Sequence, residues 1–423
     1  MHLLYKTGIR LYFYAICFAS LFNNKAKLWL NGRKNQKLLP FNDSIWFHFA
    51  SLGEFEQGSP VLEELRALYP ESKIVVTFFS PSGYEIRKNT PLADAVYYLP
   101  LDTEQNAREF IDAIQPKLAF FTKYEYWYHF FNEMHEREIP IYIISATFRP
   151  GQIFFKWYGG FYRKILGFVY CFFLQDEDSK ILLKKIGIEN VIVSGDTRLD
   201  RAWATAQHPK QIPFISDFLN GHKAFIAGST WPKDEKMIAS LIKKYPGWKF
   251  IIAPHEISEE RIARLIELIP EGYKIRYSNI SHLKPHPVNY WGPQMQILII
   301  DNIGMLSSLY QYCDIAYIGG GFGAGIHNTL EAAAFDLPVI FGPKFLKFRE
   351  AREFIRLKAG FSIKNKDELK KIADTLIYDK AFYDSAQKSI HTYVQENVGA
   401  TERIIDYIKK LQYYKPATVS QSK

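Results

Sequence analysis

The sequence predicts an α/β protein of two Rossmann-like, doubly wound domains, and three observations carry that reading. The chain has 423 residues, beyond the roughly 250–300 at which single cores stop growing and chains divide. From Ile45 onward, short β-branched or aromatic runs alternate with helical patterns, the signature of a parallel sheet wrapped by helices. Around Thr205 to Phe218 this rhythm lapses into a polar, Pro-containing stretch, and a fresh strand, loop and helix open at Ala224. The expected organisation is a segment 1–40, a first domain 41–205, a second domain 206–395 and a C-terminal helix and tail 396–423. No repeat of fixed period appears, which argues against solenoids and propellers.

Composition narrows the class. Hydrophobic residues make up 48% of the chain, enough for two packed cores. Cys17, Cys171 and Cys313 are far apart in apolar runs, without the paired spacing of disulfide frameworks or zinc sites, so a reducing compartment fits. The net charge of +9 is spread along the chain and forms no basic arm. An anionic partner is expected, and it need not be nucleic acid. Leu11 to Phe22 is mostly apolar, with Lys6 and Arg10 before it and Lys25, Lys27, Arg33, Lys34 and Lys37 after it. It falls short of the roughly 20 residues a spanning helix wants. It reads as a helix lying on a membrane surface, with a single span or an ordinary packed helix as alternatives.

The first-domain strands are expected at Ile45–Phe49, Ile74–Thr77, Val96–Leu99, Leu118–Phe121, Ile141–Ile144, Cys171–Leu174 and Val191–Val193, with helices such as Pro60–Leu68, Thr103–Ile114 and Ser179–Ile186 between them. Those of the second domain are expected at Phe225–Ala227, Phe250–Ala253, Ile297–Ile300, Ile315–Ile318 and Val339–Phe341. Lys366 to Tyr413 is largely helical in pattern, and its last helix is placed against the first domain.

Open parallel sheets bind ligands at the carboxyl ends of their strands, so the loops there are where chemistry is sought. After Phe49, Gly53 allows a tight turn and Glu54 stands near the next helix, either as a general base or as a charge partner of that helix start, a role Glu56 could share. After Phe121, Glu125 sits among Tyr124, Tyr126 and Trp127, where a charge is either paired or functional. His129 and His135 are read as surface histidines. After Val193, Arg198 suits a phosphate or carboxylate, or an ion pair with Asp196 or Asp200. Asp176 and Asp178 have the Asp-x-Asp spacing of metal-dependent sugar transferases, but they open a helix and are read as caps, so no metal is expected.

In the second domain Gly228, Ser229 and Thr230 follow a strand and precede a helix, a geometry that receives phosphate or simply caps the helix. The run Gly319-GGFGAG, followed by His327, Asn328, Thr329, Leu330 and Glu331, is expected to bring backbone close to a nucleotide, with Glu331 on a ribose and packing alone a poor account of it. It is neither a Walker A loop nor a dinucleotide fingerprint.

Taken in order, His48-FASLGE, Val76-TFFSPSG, Tyr124-EYW, Ser194-GDTRLD, Ala227-GST, Asp301-NIGML, Tyr312-CDIAYIGGGF, His327-NTLE and Val339-IFGP resemble the 3-deoxy-D-manno-octulosonic acid (Kdo) transferases of lipopolysaccharide synthesis. The resemblance covers most of the chain. It implies a GT-B fold, two Rossmann-like domains facing a cleft, with a membrane-associated N-terminus. It implies Glu54 as catalytic base, Glu125 and Arg198 in transition-state stabilisation, and a CMP pocket on Pro254 and His255, on Ile303, Gly304 and Met305, and on Asn328 to Glu331. The chain departs from the family at Pro254-His255-Glu256, where Pro-Arg-His is usual, at Ile303-Gly304-Met305, where Met-Gly-Glu is usual, and at Arg198, where lysine is usual.

The activity so implied is inverting, metal-independent transfer of Kdo from CMP-Kdo to a lipid A precursor at the cytoplasmic face of an inner membrane, with no cofactor and no nucleic acid. Another GT-B enzyme, such as a sugar-nucleotide epimerase or a hexosyltransferase, and an inactive membrane scaffold are the rival readings.

Overall fold

The computed structural model describes residues 2–269, 274–281 and 295–413. The chain divides into two compact units. Unit 1 contains the described residues up to Asp200 together with those from Val398, and unit 2 runs from Arg201 to Asn397.

Unit 1 is built on seven parallel strands: β1 (Ser44–Phe49), β2 (Ile74–Phe78), β3 (Ala95–Tyr98), β4 (Pro116–Thr122), β5 (Ile141–Ala146), β6 (Cys171–Leu174) and β7 (Val191–Val193). Their order is β3-β2-β1-β4-β5-β6-β7, so the winding reverses between β1 and β4. Alternation along β1 sends Trp46 into one core, with Phe110, Phe121 and Phe130, and sends Ile45, Phe47 and Phe49 into the other. That second core is closed by α3 (Leu52–Leu68) and by Ile404, Ile405 and Ile408 of the helix Ala400–Tyr413.

The start of α3 differs from the expectation. Proline favours first helical positions, which suggested a start at Pro60. The helix begins at Leu52 instead, and Pro60 lies inside it. Gly53 therefore belongs to the first helical turn and lies outside the left-handed region, so it makes no tight turn. Gly58 has the steric role: a Cβ there would lie 2.4 Å from the Phe49 ring and 3.0 Å from Thr122 Oγ1, and its absence lets α3 rest on the sheet.

The N-terminal segment forms α1 (His2–Ala19) and α2 (Asn24–Asn35). The boundary placed at 40 separates what the structure packs together. Arg33 of α2 donates to the carbonyls of Phe79 and Leu99 at 2.8 Å each, just beyond β2 and β3, and stacks on Trp29. On α1, Tyr5 donates to the buried Asp102, and Tyr12 packs on Trp29 and Phe79, while Leu3, Leu4, Leu11, Tyr14 and Phe18 are exposed, as are Leu21 and Phe22 just past it. No helix among the described residues is long and apolar enough to cross a membrane.

Unit 2 holds β8 (Ala224–Thr230), β9 (Lys249–Pro254), β10 (Lys274–Arg276), β11 (Ile297–Ile299), β12 (Ile315–Ile318), β13 (Val339–Phe341) and β14 (Gly360–Ser362). These too are parallel, in the order β10-β11-β9-β8-β12-β13-β14, and the winding reverses between β8 and β12. Phe225, Ala227, Ile252, Ile299 and Tyr317 supply one face of its core, against Ile238, Leu241 and Ile262 of the flanking helices.

Candidate active site

In unit 1 the two loops at the reversal point carry the two glutamates. Glu54 follows β1 and occupies the first turn of α3, where its Oε2 accepts the Ala50 N–H at 2.6 Å. The Ser51-x-x-Glu54 spacing is that of a capping box, but Ser51 makes no side-chain cap bond and Glu54 reaches one residue further back, to Ala50. A cap of this kind normally keeps a carboxylate acidic. Here burial outweighs it, and with the negative charge of Glu125 close by, the Glu54 carboxyl is pushed up to about 7, against the opposing pull of the Ala50 N–H and Lys123. A carboxyl titrating near neutrality is suited to take and give protons at physiological pH. Glu56 has another role, an ion pair with Arg87 at 2.5 Å.

Glu125 follows β4. Its Oε2 receives the Trp127 indole N–H at 3.0 Å and faces His48 Nε2 at 3.4 Å. Lys123, two residues earlier, has a φ of +59°, a conformation rare outside glycine and concentrated at functional sites. Its charge acts on both Glu54 and Asp196. Arg198 is held by Asp196, with Nη2 at 2.6 Å and Nε at 3.0 Å from Oδ2, while Gln57 of α3 donates to the other oxygen of Asp196 at 3.0 Å. That ion pair was one of the two readings open for Arg198. Asp200 instead receives the backbone N–H groups of Gly399, Ala400 and Thr401. Asp176 accepts from Ser179 N at 2.7 Å, the cap expected of it.

His129 departs from its reading as a surface residue. It is buried beneath the His2 and Tyr5 rings of α1, and its pKa is lowered to about 4, chiefly by that burial. His135 is exposed.

In unit 2 the loops after β8 and β12 flank the reversal point, and they divide the candidate donor residues sharply. Gly228, Thr230, Pro254, Thr329 and Leu330 are buried. Gly228, Ser229 and Thr230 are the end of β8 rather than a loop, Thr230 pairs with Pro254, and the Thr230 hydroxyl donates to Glu235 at 2.9 Å. This turns the Thr230 side chain away from any ligand. Ser229, at φ +53°, is half-buried. His255, Ile303 and Gly304 are exposed, Ile303 at 87%, while Asn328, Met305 and Glu331 are half-buried. Asn328 donates to Glu331 at 3.0 Å and its oxygen accepts Leu330 N at 3.2 Å. The helix that follows is only Leu330–Ala333, too short for a macrodipole of consequence.

The glycine run owes much to packing, contrary to expectation. A Cβ on Gly319 would lie 2.2 Å from the Ser229 carbonyl oxygen, and one on Gly321 2.6 Å from Gly342 Cα. These glycines let three backbone segments touch: the end of β8, the glycine run and the residues after β13.

Three functional candidates escaped the sequence reading: Lys123, His48 and Trp231. The Trp231 ring stacks on His255 at 5.0 Å between centroids, His255 on His327 at 4.3 Å, and the Trp231 N–H donates to His327 Nε2 at 3.0 Å. Indole only donates, so His327 Nε2 is an acceptor and the neutral ring bears its proton on Nδ1. Its pKa falls to about 4 through burial and the neighbouring His255. Among the described residues no group of three or more His, Cys, Asp or Glu is placed to hold a metal ion.

Comparison with known proteins gives this geometry a context. Residues 21–201 match the family model of 3-deoxy-D-manno-octulosonic-acid transferase, or kdotransferase. The chain is 26% identical to 3-deoxy-D-manno-octulosonic acid transferases of Haemophilus influenzae, over 88% of this chain and 87% of that one, and of Aquifex aeolicus, over 77% and 84%. It is 25% identical to a bifunctional glycosyltransferase/methyltransferase of Fusobacterium nucleatum, over 88% of this chain, and spans 58% of that relative's length. In fold it resembles the UDP-GlcNAc 2-epimerases of Neisseria meningitidis, with a TM-score of 0.59 and 16% identity over 87% of this chain and 100% of that one, and of Methanocaldococcus jannaschii, with 0.52 and 15% over 83% and 99%. The two parallel-sheet units are thus those of a GT-B-like protein.

Proposed function

We propose that this chain, a relative of the Kdo transferases and by that relationship a glycosyltransferase of lipopolysaccharide synthesis, moves Kdo from CMP-Kdo to a lipid A precursor with inversion and without a metal. The observation that carries the chemistry is Glu54: a carboxyl at the strand-order reversal of unit 1, titrating near 7. An acid of that strength is ionised in part at neutral pH yet basic enough to accept a proton from a sugar hydroxyl as its oxygen attacks.

In the proposed reaction Glu54 takes the proton from the acceptor hydroxyl while that oxygen bonds to the anomeric carbon of Kdo. The bond from that carbon to the CMP phosphate breaks, and the electron pair leaves on the phosphate. Unit 2 offers His255, Ser229 and Asn328 to that charge, and Ile303 and Met305 to the nucleoside. Glu125 and Arg198 take the transition-state roles the resemblance implies, with Arg198 sharing its guanidinium with Asp196. The exposed apolar face of α1, with the lysines and arginines around it, suits attachment to an anionic membrane surface where the lipid acceptor resides, in this reading the cytoplasmic side of the inner membrane.

Incubation with CMP-Kdo and lipid A precursor, followed by mass analysis, tests the reading. Addition of one or more Kdo units is expected, with loss of transfer in Glu54→Gln and no turnover of UDP-GlcNAc without an acceptor. No addition, or an undiminished Glu54→Gln, would refute it.

A further inference from the structure

His48 lies near the end of β1 with its side chain wholly buried, in a strand whose neighbours are Trp46, Phe47 and Phe49. A buried imidazole needs partners for both nitrogens. Nδ1 stands 2.8 Å from Thr77 Oγ1 on β2, and Nε2 stands 3.4 Å from Glu125 Oε2.

The directions follow from the two ends of the chain, an indole that can only donate and a carboxylate that can only accept. The Trp46 indole N–H can only donate, and it lies 2.9 Å from Thr77 Oγ1. That oxygen therefore receives one hydrogen and has its own to give. Its two acceptors are His48 Nδ1 at 2.8 Å and the Phe47 carbonyl at 3.4 Å, and the shorter contact is the better bond. A hydroxyl oxygen can accept twice, so the choice is made at the other end: the Glu125 carboxylate only accepts, which puts the proton of the neutral ring on Nε2 and leaves Nδ1 to receive that of Thr77. The 3.4 Å contact is long for such a bond, in keeping with catalytic contacts that tighten once substrate is bound. Trp127 donates to the same oxygen from the other side at 3.0 Å. The charged groups acting on the ring are Glu125 and Arg33 of α2; burial above all, with Arg33, lowers its pKa against the opposing pull of Glu125.

We propose that Trp46, Thr77 and His48 form an oriented hydrogen-bond chain that fixes the Nε2–H tautomer of His48 and, through it, positions the Glu125 carboxylate for the transfer reaction. His48 is thereby a positioning residue, one step removed from the reacting atoms. This rests on the reading of Glu54 and Glu125 as active-site groups.

The test uses the full chain labelled with 15N-histidine. Long-range 1H–15N spectra report the tautomer, with the His48 signals identified by their loss in His48→Gln. The expected result is a neutral Nε2–H ring from pH 7 to 8.5, and tautomer mixing in Thr77→Val, which keeps the shape of the side chain without its hydroxyl. An Nδ1–H or charged ring in the wild type at pH 7 would overturn the proposal.

The kinetic arm compares His48→Phe with His48→Gln, whose amide retains an N–H for Glu125. We expect kcat to fall at least tenfold in the first at unchanged KM for CMP-Kdo, with partial recovery in the second. Equal kcat in wild type and His48→Phe would also overturn it. Glu54→Gln separates the two readings: if it retains transfer, the base assignment fails while the tautomer result stands.

Discussion

Replacing Glu54 by glutamine should stabilise unit 1 while abolishing the proposed transfer, and the size of the gain is set by the same burial that raises its pKa toward neutrality. The carboxyl rises from its ordinary 4.5 to about 7 on folding. At about 1.4 kcal/mol per tenfold change in a proton equilibrium, holding it ionised in the fold costs about 3 kcal/mol. The sign is that of an acid whose folded pKa is raised. Its contribution is most favourable below pH 4.5 and is lost as pH climbs toward and through 7. Glutamine cannot ionise, yet its amide oxygen still accepts the Ala50 N–H, so the cap survives. The stability difference between Glu54→Gln and wild type should grow from about 1 kcal/mol at pH 5 to about 3 kcal/mol at pH 8.5. Urea unfolding, followed by hydrogen exchange in β1 and β4, measures it. A difference that stays constant between pH 5 and 8.5, or a variant weaker than wild type throughout, would refute the account of why Glu54 titrates near neutrality.

Three further outcomes follow from other parts of the structure. Because Glu125 is one of the two influences that raise Glu54, Glu125→Gln should move the acidic limb of the kcat profile to lower pH, and an unmoved limb would mean that burial alone sets it. Gly321→Ala places a methyl 2.6 Å from the Gly342 backbone, and should cost unit 2 about 1–3 kcal/mol in chemical denaturation. A wild-type midpoint would show that these loops do not meet as described. Leu11→Glu with Phe18→Glu, on the exposed face of α1, should weaken partition onto anionic vesicles by at least about tenfold, since burying each apolar side chain contributes about 1.5–3 kcal/mol. Unchanged sedimentation with vesicles would remove α1 as the contact.

Much of the fold was legible because buried parallel strands announce themselves as continuous apolar runs. Cys171–Leu174, Val191–Val193, Ile315–Ile318 and Val339–Phe341 lie where the pattern puts them. The strands Lys274–Arg276 and Gly360–Ser362 were invisible, since each has three residues, lies at a sheet edge and carries no apolar run. The position of Glu54 and Glu125 after strands was readable, but their place at one reversal point needed the strand order. What no local pattern can show is which side of a turn looks outward. Thr230 and Asn328 sit in equally polar stretches, yet the first is buried with its hydroxyl on Glu235 and the second is only half-buried. His129 is buried by residues 2 and 5, more than a hundred positions away. His48 did leave a signal, a lone polar residue in an apolar strand, which only the Thr77 and Glu125 contacts turn into a role.

The Asp200 carboxylate, which gathers the N–H groups of residues 399 to 401, fixes the order in which the protein can mature on the ribosome. Unit 2 is one uninterrupted stretch and can condense as soon as Asn397 has emerged. Unit 1 is begun before unit 2 but completed after it, because the helix Ala400–Tyr413 that seals its core against α3 follows unit 2 in the chain. During translation Phe49, Phe55 and Leu62 therefore wait with one side uncovered, and a nascent chain stalled before residue 400 presents that surface to chaperones and proteases. A frameshift in the codons just before residue 400 would be felt first in the unit whose strands are encoded ahead of unit 2.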